Sequence, residues 1–218
     1  MWPRTFLRQR PGISPSVPLR MAKESDHELI QLAREGDNQA FGELVRRHQK
    51  RIFRLAVHML RDTTEAEDVT QETFVRAYQA LARFQGNSQP YTWLYRIAVN
   101  LSLNIIRTRK PRQHVTGDDD PRIESWLAVH APSGERDPAT VNEQRELAKA
   151  LCEGIDQLSD TLRTTLLLVA MDGLGHAEAS EVLGCPEGTV AWRVHEARRK
   201  LRSHLSSLGL VDEKEGEP

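Results

Sequence analysis

From Pro111 to Thr140 the chain reads PRQHVTGDDDPRIESWLAVHAPSGERDPAT, a run rich in proline, glycine, aspartate and serine. On either side of it apolar residues recur three and four positions apart, the repeat of an amphipathic helix; inside it that repeat is lost. No other feature of the sequence constrains the fold as much. A chain of 218 residues with mean hydropathy −0.55 must then divide its core between two small blocks instead of building one large mass. Within the break only IESWLAV could form a helical turn, so residues 111–140 are read as a flexible linker. No segment alternates apolar and polar residues as a strand would, and no repeat of fixed period is present. The expected fold class is all-α: two small helical domains joined by a flexible linker.

Residues 25–110 make the first block. SDHELIQLAREGD offers Ser25 or Asp26 as N-cap and puts Leu29, Leu32 and Ala33 on one face before Gly36 breaks the pattern. Asp37 can cap a longer helix in which Phe41, Leu44, Val45, Ile52, Leu55, Ala56 and Met59 share a stripe. TEAE at Thr64 to Glu67 has the form of a capping box and predicts a helix running to about Arg83. FQGNSQP is a loop by composition. A last helix starts near Pro90, carries Leu94, Ile97, Ala98, Leu101 and Ile105 on one stripe, and stops at Pro111. Ahead of the block, MWPRTFLRQRPGISPSVPLR contains arginines, no acids and repeated prolines in place of a continuous apolar run. Residues 1–24 are therefore expected to be a disordered basic leader, or an extension upstream of a true start at Met21, and not a targeting signal.

Residues 141–206 are predicted helical in four pieces: 141–157, about 160–171, about 176–183, and 186–206, with residues 207–218 an acidic tail. On the last helix, Val190, Val194, Ala197 and Leu201 form a narrow stripe that has to be buried. Opposite lie Gly188, Trp192, His195, Glu196 and Arg199, flanked by Arg193 and Lys200 on one side and Arg198 and Arg202 on the other. A mixed polar centre between basic margins suits a helix in a DNA major groove, where base edges are read centrally and phosphates are held at the borders. HAEASEVLGCPEGTV supplies the rest of a helix-turn-helix: a short helix with small Ala179 and Ser180, Gly184 at the turn, and Pro186 at the start of the second helix. Glu196 fits the scheme because a carboxylate can accept from a cytosine amino group. Trp192 is either a base contact or an edge packing residue.

The formal net charge is −1, from 30 basic and 31 acidic residues, so the basic helix is offset elsewhere. One offset is AEDVTQETFVRAYQAL, where Asp68, Gln71, Glu72 and Val75 fall on one side of a helix while Phe74, Ala77, Tyr78 and Leu81 can face a core. An acidic face is a poor DNA surface and a good dock for a basic protein surface. Other acids lie in the linker and tail, and basic residues of the stretches 46–54 and 107–112 are candidates for further DNA faces. The segment from Arg83 to Asn100 mixes Phe84, Tyr91, Trp93 and Tyr95 with Gln85, Asn87, Ser88, Arg96 and Asn100. Amides in a glycine-containing loop beside aromatics can hold an unstacked base, with Trp93 itself assigned to the core. The two cysteines, Cys152 and Cys185, are far apart, which argues against a disulfide framework or a zinc site and fits a reducing cytoplasm. No HExxH, Walker loop, GxSxG or paired-cysteine motif occurs, so neither an enzyme nor a cofactor, metal or small-molecule substrate is expected.

AEDVTQETFVRAY, YTWLYRIAVN and HAEASEVLGCPEGTVAWRVHEARRKLR together resemble the extracytoplasmic-function (ECF) sigma factors of bacterial RNA polymerase, over roughly residues 25–205 and in the family's order. The resemblance implies that residues 25–110 are region 2. There Asp68, Gln71, Glu72 and Val75 would dock on the β′ clamp helices of core polymerase. Gln85, Asn87, Ser88, Tyr91, Arg96 and Asn100 would melt the −10 element and trap a flipped base. It implies that residues 141–206 are region 4, touching the β flap and reading the −35 duplex through Thr189, Trp192, Arg193, His195, Glu196, Arg198, Arg199 and Lys200. An anti-sigma factor, in this family often membrane-anchored, is an implied partner, and cytoplasmic location follows from the same likeness. The family often has Leu-Pro where this chain has Leu158 and Ser159, and Ser159 is expected to cap the following helix instead. Gly175 stands where Ser or Thr is usual, and Ser180 where Ala is usual. Thirty extended linker residues span about 100 Å at ~3.3 Å each, enough for the roughly 70 Å of two duplex turns between the promoter elements. A stand-alone helix-turn-helix regulator is the alternative, and it leaves the acidic helix and the aromatic loop unexplained.

Overall fold

The structure, a computed structural model, describes residues 23–108, 120–130 and 138–211. The leader, most of the tail and parts of the linker lie outside the described residues, and with them the expectations for residues 1–22, for Pro111 as a helix stop and for the basic residues from Arg109 to Arg112. Every described element is helical, as the all-α reading requires.

The first unit comprises α1 (Asp26–Arg34), α2 (Asn38–Leu60), α3 (Thr63–Ala80), a single 3-10 turn at Leu81–Arg83, and α4 (Pro90–Thr108). Ser25 caps α1 through a reciprocal box: its Oγ accepts from Glu28 N at 3.3 Å, and its own N–H donates to Glu28 Oε2 at 2.6 Å. Gly36, at φ +99°, turns the chain in the left-handed region, and Asp37 then accepts from the amides of Gln39 and Ala40 to start α2. The predicted box at Thr64 to Glu67 is not the start of α3. Asp62 is the cap, accepting from Glu65 N at 2.9 Å, so Thr64 already lies inside the first turn. Tyr78 is also placed differently: it is 40% exposed, with its ring edge-on to Phe41 and its hydroxyl donating to Asn38 Oδ1, whereas Phe74, Ala77 and Leu81 do enter the core. Trp93 packs as expected, its ring 4.8 Å from that of Phe84.

The mostly apolar core of this unit is crossed by one ionic cluster. Asp26 accepts from Arg47 Nη1 at 2.9 Å and is bonded to His48 Nε2 at 2.6 Å, while the buried Glu43 carboxylate is held by Arg46 and Arg47. The pairs to Asp26 fix α1 against the first half of α2 and turn Arg47 inward, while Arg46 stays exposed beside Glu43.

The second unit is α6 (Pro138–Asp156), α7 (Asp160–Leu166), a π-helical turn at Leu167–Met171, α8 (His176–Leu183) and α9 (Glu187–Ser207). Leu158, Leu162, Leu166, Ala197 and Leu201 close its core. Ser159 holds the N-cap position of α7, but its hydroxyl caps nothing and pairs with Thr161 Oγ1. The corner is stabilised by the buried Arg163, which donates to the carbonyls of Ile155, Asp156 and Leu158 at and just after the end of α6.

The linker is not slack throughout. Pro121–His130 forms α5, and Ile123 and Leu127 are buried against Ala148 and Cys152 of α6. Arg122, 1% exposed, is bonded by both carboxylate oxygens of Asp120 and by Asp156, which also pairs with Arg61 at the end of α2. The sequence allowed a helical turn at IESWLAV but read the segment as flexible linker, because its apolar pair is only one turn long and its partners sit on a different element.

The hydrogen bond from His48, chiefly, and then the Arg47 pair hold the Asp26 carboxyl below its ordinary value of 3.8. Its contribution is therefore present above that value and lost as pH falls through the lower folded one. Asp26→Ala is expected to cost about 1–2 kcal/mol in denaturant unfolding near neutral pH, with the difference from wild type shrinking in acid below the ordinary carboxylate value.

Candidate nucleic-acid interface

α9 is built as a two-sided element. Val190, Val194, Ala197 and Leu201 are buried: the first two with Ala179 and Val182 of α8 seal the helix pair, and the last two pack on Leu162 and Leu166 of α7. The turn between the helices is Gly184 at φ +63° and ψ +37°, the left-handed C-cap that a side chain would strain. Pro186 is the N-cap residue, one place earlier than the first-turn position expected from sequence, and Glu187 begins the helix. Gly175 caps α8 without a side chain, so only the returning half of the box forms, Gly175 N–H to Glu178 Oε2 at 2.7 Å.

The opposite face of α9 is open. Trp192 is 62% exposed, so it is not an edge packing residue, and His195, Arg198, Arg199 and Lys200 are exposed with it. Thr189, Arg193 and Glu196 are half-buried along the margins. Arg193 Nη1 reaches Cys185 Sγ at 3.5 Å, which orients it back over the turn. Glu196 accepts from Arg199 Nε at 2.8 Å and Nη2 at 2.7 Å, with Lys200 Nζ at 3.9 Å. The Arg199 hydrogen bonds hold the Glu196 carboxyl below its ordinary value, so it stays an acceptor at neutral pH. The pair presents a guanidinium fork and a carboxylate side by side, groups that match guanine and cytosine edges respectively.

On α3, Asp68 and Gln71 are exposed, Glu72 is half-buried and paired with Arg76 at 2.7 Å, and Val75 is 49% exposed. The four lie along one face, an apolar spot inside an acidic rim. The loop before α4 leaves Gln85 and Asn87 exposed and bonded to each other, Asn87 Nδ2 to Gln85 Oε1 at 3.2 Å, with Ser88 half-buried and Asn100 exposed on α4.

Tyr91, half-buried, and Arg96, still exposed, reach across to the second unit. Tyr91 donates its hydroxyl to Glu178 of α8, and Arg96 donates through Nε at 3.0 Å and Nη2 at 2.5 Å to the carbonyl of Glu181. Below them Arg51 donates to the carbonyl of Asp172 at 2.5 Å and Arg54 to its carboxylate at 2.8 Å. Arg51 and Arg54, read from sequence as a DNA face, are thus turned toward the second unit. Asp172, Glu178 and Glu181 had no local sequence signal for this role, because each meets partners more than 80 residues away. Among the described residues no group of histidine, cysteine or acidic side chains could hold a metal ion, and no helix is long and apolar enough to cross a membrane.

The family profile for Sigma-70 region 2 matches residues 44–112, and that for Sigma-70, region 4, matches residues 148–201. The chain is 37% identical over 191 residues to the RNA polymerase sigma-H factor of Pseudomonas aeruginosa, covering 86% of this chain and 97% of that one. It is 34% identical over 183 residues to the ECF RNA polymerase sigma factor SigW of Bacillus subtilis, covering 82% and 96%. Among solved structures, CnrH in complex with the cytosolic domain of CnrY superposes with a TM-score of 0.62 at 28% identity, over 84% of this chain and 99% of that one. The sigma factor RpoE in complex with the anti-sigma factor NepR from Bartonella quintana matches with a TM-score of 0.56 at 21% identity over 76% of this chain and 96% of that one, a likeness of fold. Region 2 and region 4 therefore follow one another on the two helical units, and the chain belongs to the ECF sigma factors, the subunits that direct bacterial RNA polymerase to its promoters.

Proposed function

We propose that the two units divide promoter recognition between opened and intact DNA. Region 4 (residues 141–206) reads the −35 duplex with α9 in the major groove and touches the β flap. Trp192, His195, Glu196 and Arg199 face the bases, and Thr189, Arg193, Arg198 and Lys200 serve the phosphate margins. The observation that carries this reading is the segregation of α9 into a sealed apolar stripe and an open face with an exposed Trp192. Region 2 (residues 25–110) holds the melted −10 strand: Gln85, Asn87 and Ser88 contact an extruded base, Tyr91 stacks, and Arg96 and Asn100 follow the backbone. Asp68, Gln71, Glu72 and Val75 dock on the β′ clamp helices, with Val75 as the apolar anchor within the acidic rim.

The chain acts in the cytoplasm as a recognition subunit without chemistry of its own. Both solved neighbours were captured with a partner protein, the cytosolic domain of CnrY in one and the anti-sigma factor NepR in the other. An anti-sigma protein, membrane-anchored as often in the family, is the corresponding partner here. A stand-alone regulator would have no use for Val75 exposed within acids on α3. Mixing the purified chain with core polymerase and a promoter library is expected to give run-off transcripts from a defined pair of elements; no new start site in any sequence would defeat the reading.

Two substitutions separate the readers. Arg199→Ala is expected to weaken transcription by about 1–3 kcal/mol and to relax one −35 position, whereas an equal loss on every −35 variant would mark a phosphate contact. Asn87→Ala is expected to impair open-complex formation, followed by permanganate footprinting, while leaving −35 duplex binding intact.

A further inference from the structure

The base-facing side of α9 is not polar throughout. Trp192 is the most exposed large apolar side chain among the described residues, whereas Trp93 and Trp126 are half-buried. Gly188, one turn earlier, leaves open space on the N-terminal side of that ring: a Cβ added there would meet nothing within 4 Å, the indole included. The polar readers lie on the other side, where Glu196 and Arg199 are bonded to each other and present only polar groups. Arg193, Arg198, Arg199 and Lys200 surround the face with positive charge, so the surface that covers Trp192 is a polyanion.

The apolar group that a duplex offers in its major groove is the C5-methyl of thymine. An indole has a broad apolar face, one N–H donor and no acceptor. We propose that Trp192 is a thymine reader, its indole covering the C5-methyl of one thymine in the −35 element. The proposal rests on the placement of α9 in the major groove and adds to it the base that the helix selects there. Thymine carries the O4 acceptor next to its methyl, which suits the indole N–H; cytosine lacks the methyl and puts an amino donor in that place, donor against donor. The open space over Gly188 gives the methyl room to approach the ring. Recognition is thus split along the helix: the turn around Trp192 reads a methyl group, and the turn around Glu196 and Arg199 reads polar edges. Trp192 and Arg199 stand two turns apart on α9, about 10 Å at ~1.5 Å per residue, or about three base steps of duplex. The thymine is expected at that distance from the base pair that Arg199 reads.

The test changes the DNA and leaves the protein intact. The −35 element is first defined by holoenzyme on the promoter library. Each of its thymines is then replaced singly by deoxyuridine, which keeps every hydrogen-bonding group and loses only the methyl. Closed-complex binding by wild-type holoenzyme is expected to weaken about fourfold at one thymine, the worth of one buried methyl group. Trp192→Ala is expected to bind the thymine and deoxyuridine promoters equally, and Trp192→Phe to keep a preference for thymine. An exposed residue is replaced in both, and circular dichroism checks that the helix is kept. A wild type indifferent to every deoxyuridine, or an element without thymine, overturns the methyl contact and leaves α9 in the groove. A deoxyuridine loss that persists undiminished in Trp192→Ala overturns the assignment to Trp192. A library from which no −35 element emerges overturns both the contact and the reading of region 4 beneath it.

Discussion

Where α4 meets α8, Tyr95 and Val99 lie against Ala179 and Val182, and water is excluded from a seam that belongs to neither helical unit alone. Each unit is small, and small cores are marginal because so much of their surface stays wet. Joining the two adds apolar burial that neither could reach separately. The polar groups at its border follow from that closeness. Arg54 and Tyr91 are half-buried at the seam, Arg51 and Arg96 stay exposed at its rim, and each finds its acceptor on region 4, at Asp172, Glu178 or Glu181. The resulting geometry couples sites that the promoter requires to be apart.

A second ionic cluster works at the other end of the same interface. Arg122 of α5 is enclosed between Asp120 and Asp156, and Asp156 also takes Arg61 from the C-cap of α2. Arg61 is a non-glycine residue at φ +59°, a conformation with a local steric cost. Burial lowers its guanidinium to about 10, with Asp156 the strongest opposing influence. Three segments that are distant in sequence are thus held by one carboxylate. Replacing such a buried group leaves the others unpaired, so the cluster specifies an arrangement more than it adds net stability.

Much of this was legible from sequence because helical periodicity is a local property. With the π-helical turn counted into α7, the four helices of region 4 fall within three residues of their predicted limits, and the Val190, Val194, Ala197 and Leu201 stripe is buried as a wheel demands. Errors arose where a choice among neighbours had to be made or where partners are remote. Asp62 captured the cap of α3 ahead of Thr64 because its carboxylate reaches the amide of Glu65 directly. Tyr78 turned outward because its hydroxyl has Asn38 at the surface to bond. Ser159 did not cap α7, because its hydroxyl found Thr161. The residues proposed for docking and for the duplex are exposed or half-buried as their roles need. Tyr91 and Arg96 are bonded to residues more than 80 positions away in the chain, which no local pattern could reveal.

Folding ten linker residues into α5 changes the mechanics of the tether. A helix advances only about 1.5 Å per residue, against ~3.3 Å for an extended strand. The maximum span between the end of α4 and the start of α6 drops from about 100 Å to about 80 Å. That leaves little excess over the roughly 70 Å between the promoter elements. While Ile123 and Leu127 remain on α6, the usable span is shorter still, because α5 then travels with region 4. The connector therefore behaves less like rope than like a telescoping rod, whose extended length depends on whether one short rung stays folded.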